Sequence, residues 1–200
     1  MKETIQSILG FWFGEAADDA AAAAQQAGIW WGKSDEVDRQ IAERFEVPLQ
    51  QAAGGQLDAW QQTPQGRLAL ILLLDQFPRN IYRGTPQAFA YDAQARALTL
   101  DGLQAGDDQA LRPIERVFFY LPLEHAEDLP LQLRCVALFE QLQASLPEAA
   151  AQVFAGFTDF ADKHRVIIER FGRFPHRNEI LDRESTAEEI AFLATPGSSF

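Results

Sequence analysis

The sequence predicts an all-α domain, either a helical array or an irregular bundle of seven to nine helices. Three observations carry that expectation. Apolar residues recur at helical spacing through most of the chain. Val is scarce, and β-branched alternation over five or more residues is hard to find. Helix-start signals recur, with Ser, Thr or Asp standing just before a periodic apolar pattern.

Ile5, Ile8, Leu9, Trp12 and Phe13 make the first apolar stripe. Asp18–Ala27 is alanine-dense and without a bulky anchor, so it reads as a helix or a frayed loop. Ser34 or Asp35 caps a helix carrying Val37, Ile41, Phe45 and Leu49, with Pro48 near its end and Gly54-Gly55 breaking the chain. Thr63-Pro64 is an N-cap followed by proline at the first helical position. The helix it opens, Gln65–Gln76, is apolar almost all round, which marks a central, buried element. Phe77-Pro78 is expected to end it.

A short helix follows Thr85-Pro86, and Asp92–Leu100 continues the helical pattern, with turns at Gly102 and Gly106. Ile114–Leu121 is aromatic and apolar, with Pro122 as its stop. Glu124–Leu146 reads as one long helix with Pro130 early in it, and Ala149–Gly172 as another with weak points at Gly156 and Thr158. Ser185/Glu188 and Thr186/Glu189 are overlapping capping boxes before Ile190, Phe192 and Leu193. The organisation expected is one helical domain over 1–194 and a flexible tail over 195–200.

The 200 residues hold 17 Lys and Arg against 29 Asp and Glu, a formal charge of −12, and 47% are apolar. Fifteen Phe and four Trp exclude a disordered chain, and a single Cys excludes a disulfide scaffold. Cys135 lies in an apolar helical pattern and reads as a small core residue. The acidic balance argues against binding nucleic acid or anionic membrane. The longest apolar run, 68–74, falls far short of the roughly 20 residues that span a bilayer. The first residues make a poor secretory signal, so the expected location is cytoplasmic.

Three segments place polar groups in apolar surroundings. Asp75 ends the most apolar helix and is followed by Arg79 and Asn80, as a structural ion pair or as the wall of a ligand pocket. Glu124 and His125 follow the aromatic run 118–121, and acids there suit an expected helix N-terminus. The third stretch, Lys163–Arg183, contains His164, Arg173, His176, Arg177 and Asn178, and its six bases face three acids. Clustered guanidinium groups suit a carboxylate or phosphate, or pair internally with acids. Phe77-Pro78-Arg79-Asn80 and Phe174-Pro175-His176-Arg177-Asn178 are near-copies of one corner.

The residues three before the histidines are Pro122, Ala161 and Arg173, so the Glu-x-x-His of helical metal sites is missing. Phosphate-loop, dinucleotide and nucleophile-elbow signatures are missing too. No metal and no cofactor are expected.

Ile8–Phe13, Trp30-Trp31, Phe45, Leu74–Asn80, Leu121–Asp128 and Arg170–Asn178 together resemble the bacterial family of unknown function numbered 924, over about Ile5 to Leu193. Ala126 departs from the family pattern, where a small hydroxyl residue is expected, and Asp182 stands where glycine is more usual. The resemblance implies an all-helical fold related to tetratricopeptide-like arrays and implies no established activity. It covers Asp75, Arg79, Asn80, His125, Arg173, His176, Arg177 and Asn178.

Two functions follow as expectations. One is a non-enzymatic module for a protein or peptide partner, with Trp30, Trp31 and Trp60 as anchors. The other is a pocket for a small anionic ligand, catalytic if His125 or His176 acts as acid and base.

Overall fold

A computed structural model of the chain describes residues 3–199. Among them the structure is helical and irregular, with no strand. The helices in chain order are α1 (Ile5–Phe13), α2 (Asp19–Trp30), α3 (Asp35–Ala53), α4 (Pro64–Ile71), α5 (Phe77–Ile81), α6 (Asp92–Ala105), α7 (Pro113–Glu124), α8 (Leu129–Ala144), α9 (Glu148–Phe171) and α10 (Ala187–Leu193). Short 3₁₀ turns at Asp58–Gln62, Pro86–Phe89, Asp107–Ala110 and Pro175–Arg177 join them. No helix is long and apolar enough to cross a membrane among the described residues.

Local chemistry starts most of these helices, at Ser34, Thr63 and Thr186 as expected. Asp18, Ser34, Thr63 and Asp128 each accept a backbone N–H three residues on. Of the two overlapping capping boxes only Thr186/Glu189 forms. The Ser185 hydroxyl accepts from Asn178 Nδ2 instead, at 3.0 Å.

The central element is α4. Beyond its first two residues it has no solvent-facing side, and every residue from Gly66 to Pro78 is buried. It packs against α1, α6 and α7, while α5 packs against α3. Phe77-Pro78 does not end this helix. A π-helical turn at Leu72–Gln76 carries it into α5, with the Phe77 N–H donating to the Leu72 carbonyl five residues back. The widened turn changes the hydrogen-bond register where the proline ring would otherwise meet the carbonyl four residues earlier.

Pro122 likewise sits inside α7, which runs on to Glu124, with His125 as its C-cap. The segment expected as a single helix from Glu124 is therefore the end of α7, a turn, and α8. Neither Gly156 nor Thr158 interrupts α9.

Two positions are decided by backbone geometry. A Cβ on Gly102 would lie 2.5 Å from both Arg67 Cδ and Phe119 Cζ, so only glycine lets α6 approach α4 and α7 this closely. Asp182 is the one non-glycine residue with positive φ (51°) among those described, which is the physical reason a glycine is at home there.

Gly102→Ala is expected to lower stability by about 1–3 kcal/mol through overpacking. Asp182→Gly is expected to be neutral or stabilising, by at most about 1 kcal/mol. Denaturant midpoints of the two variants check both.

Candidate functional site

The π-helical turn delivers Asp75 into the interior, where its carboxylate has no solvent exposure. His125 arrives from the C-terminal end of α7, with Nδ1 2.8 Å from Asp75 Oδ1. Arg79 Nη1 lies 3.4 Å from the same oxygen, and the Gln76 amide donates to Oδ2. Burial pushes the Asp75 carboxyl up, but Arg79 and His125 outweigh it and hold it at about 2. An ionised carboxylate only accepts, so the His125 proton resides on Nδ1.

The arginines of the two near-copied corners meet at a residue the sequence did not single out. Arg79 grips Asp92 with both terminal nitrogens, at 2.9 and 3.0 Å. Arg177 Nη1 lies 3.7 Å from Asp92 Oδ2 and donates to the His125 carbonyl at 3.2 Å. Its guanidinium also lies over the rings of Phe89 and Phe174, 4.7 and 4.5 Å away. Burial, reinforced by Arg79, brings Arg177 down to about 10.

A second pair closes the inner side. His164 on α9 places Nδ1 2.8 Å from the Phe160 carbonyl and 3.2 Å from Glu124 Oε1. The His125 and His164 ring centroids are 6.3 Å apart. Burial, with the Asp75 charge adding to it, pushes Glu124 up to about 8. Glu124 therefore does not complement a helix N-terminus. It stands at the negative end of α7 and is protonated at neutral pH. Burial holds His164 neutral, at about 3, and His176 at about 4 with Arg177 assisting. At pH 7 the cluster thus balances the carboxylates of Asp75 and Asp92 against the guanidinium groups of Arg79 and Arg177.

The other candidates fall outside this cluster. Asn80 turns to α3 and donates to Asp38 Oδ1 at 2.8 Å. Arg173 forks onto Glu189 at 2.7 and 2.8 Å, and Asn178 also reaches Glu189 and Ser185. These two residues tether α10, so the corner copies share their arginine role and not their asparagine role.

The positive stretch 163–183 is neutralised by acids around it. Arg165 pairs with Asp162, Arg170 with Glu188, and Arg183 with Glu127. Among the described residues no group of three or more His, Cys, Asp or Glu is placed to hold a metal ion. Cys135 is buried in the core, where desolvation raises its thiol pKa.

Surface relief lies elsewhere. Two concavities of about 570 and 260 Å³ flank the outer face of α3, and no residue of the cluster lines either. Val47 and Gln51 line both. Of the tryptophans expected as anchors, Trp60 lines the smaller concavity and Trp31 is 53% exposed. Trp30 is a core residue whose Nε1 donates to the Trp12 carbonyl.

The cluster has a definite pH signature. The folded pKa of Glu124 lies above its ordinary 4.5, so its contribution is complete below pH 4.5 and is lost as pH rises through about 8. His164 is depressed from 6.5 to about 3, so its contribution is complete above 6.5 and lost as pH falls through about 3. His164 and Glu124 offset each other between pH 4.5 and 6.5, and His176, depressed from 6.5 to about 4, tips the balance so that stability is expected to peak near pH 6.5. Glu124→Gln is expected to remove a loss on the order of 2 kcal/mol between pH 6.5 and 8 while keeping the acid limb. Urea unfolding across pH checks this, and an unchanged alkaline limb would mean that Glu124 is ionised in the fold.

Comparison with known proteins agrees with this architecture. The solved structure of a protein of unknown function, ATU0120, from Agrobacterium tumefaciens is similar with a TM-score of 0.74 and 40% identity, over 88% of this chain and 99% of that one. No curated protein matches. Residues 8–197 match the family described as "Bacterial protein of unknown function (DUF924)". The chain belongs to that bacterial family.

Proposed function

We propose that the protein is a non-enzymatic binding module that takes an extended protein or peptide segment on the outer face of α3. The pair of concavities there is the observation that supports this reading most. The larger is lined by Val47, Gln50, Gln51, Gln56, Tyr82 and Gln87, and the smaller includes Val47, Pro48, Leu57 and Trp60. Val47 and Gln51 stand one helical turn apart and form the ridge between the two.

The amides of Gln51 and Gln56 offer both a donor and an acceptor, which suits the alternating N–H and C=O groups of an extended chain, while Gln50, whose two N–H hydrogens go to phenols, offers its carbonyl. Gln50 and Gln87 are positioned by phenols, since Gln50 Nε2 donates to Tyr82 and Tyr91 and Gln87 Nε2 donates to Tyr91. Val47, 68% exposed, and the ring of Trp60 supply apolar contact between these polar groups. The anion-pocket reading has less support, because carboxylates already grip Arg79 and Arg173 and the buried charges balance.

Selection of displayed nonapeptides against the full chain tests the proposal. Enriched peptides are expected to bind about ten-fold more weakly to Val47→Asn, a surface change that leaves unfolding within about 0.5 kcal/mol of the parent. If peptides bind both proteins equally, or if inorganic phosphate stabilises the protein and no peptide binds, the proposal fails.

A further inference from the structure

Resting on that reading, we propose that the segment taken by the α3 face is cationic, with two basic side chains two positions apart. The two concavities carry the carboxylates of Glu3, Glu43 and Glu46 and the single guanidinium of Arg44. Arg44 is not available to an acidic partner. It pairs with Glu3 at 3.2 Å and lies over the rings of Phe11 and Phe45, at 5.0 and 4.6 Å.

Glu43 and Glu46 are the acids left over. Glu43 is 69% exposed in its side chain and, among the described residues, makes a long 3.9 Å contact with Arg39. Glu46 accepts the Tyr82 hydroxyl on Oε1 at 3.1 Å, which leaves its second oxygen for a ligand. They stand three residues apart on α3, beside Val47, so their Cβ atoms are about 5–6 Å apart. Alternate side chains of an extended strand repeat every ~7 Å on one face, which long, flexible Lys or Arg side chains adapt to that separation. The intervening residue of such a strand turns away, and its backbone faces the amides of Gln50 and Gln51. The net charge of −12 adds a long-range attraction of the same sign.

The test uses three labelled nonapeptides differing only in a central Lys-Val-Lys, Gln-Val-Gln or Glu-Val-Glu, titrated against the full chain by fluorescence anisotropy. The Lys peptide is expected to bind about ten-fold more tightly than the Glu peptide at low salt. High salt and Glu43→Gln/Glu46→Gln are both expected to erase most of that preference. Equal affinity of the three peptides, or a Lys preference that survives the double variant, overturns the charge assignment and leaves the groove as a peptide site. Failure of all three to bind overturns the groove reading with it.

Discussion

A carboxylate without water is the constraint around which much of this molecule is arranged. Asp75 sits in a helix buried on every side, and an isolated charge there would cost far more than the fold has to spare. Its partners must therefore come to it. His125 comes from the end of α7 and Arg79 from the next turn of its own helix. Arg79 in turn requires Asp92 at the start of α6, and Asp92 draws in Arg177 from the turn after α9. Each link satisfies a group whose burial the previous link required, so the network joins segments from distant parts of the chain. Removing one member leaves its neighbour buried and unpaired, the costly outcome for such networks.

This arrangement also redistributes the protein's charge. Nearly all of the basic residues between 163 and 183 are used within the fold, on Glu127, Asp162, Glu188, Glu189 and Asp92. The excess acid is left on outer faces, among them the solvent side of α3. The cluster is neutral because Asp75 and Asp92 match Arg79 and Arg177, while Glu124 and the buried histidines are uncharged near pH 7. The function we propose is placed at the surface relief around Val47 because the charges of the polar cluster are matched within the fold.

The candidate site was legible in part. Asp75, Arg79, Glu124, His125, His164 and Arg177 stood out because polar groups in apolar runs must find partners, and the structure brings them together. Asn80, Arg173 and Asn178 stood out for the same reason and serve other contacts. Asp92 escaped notice because an acid in the first turn of a helix already has an ordinary explanation in the helix dipole. Glu124 received that same explanation wrongly, because Pro122 does not end α7. The α3 face carried a weaker sign, the glutamines at 50, 51 and 56, which polar surface helices share.

What the sequence by itself determined is everything governed by neighbours a few residues away. The helical class, the caps at Asp18, Ser34, Thr63 and Asp128, the Thr186/Glu189 box and the central position of the helix after Pro64 follow from side chains within one turn of each other. What only the tertiary structure decided is which carboxylate meets which guanidinium, whether Pro78 and Pro122 end or bend their helices, and where the surface is concave. Those depend on atoms brought together from separate elements, 13 positions apart for Arg79 and Asp92 and 50 for His125 and Asp75. Their free energies are fixed by burial and by competing partners, and neither exists until the chain has packed.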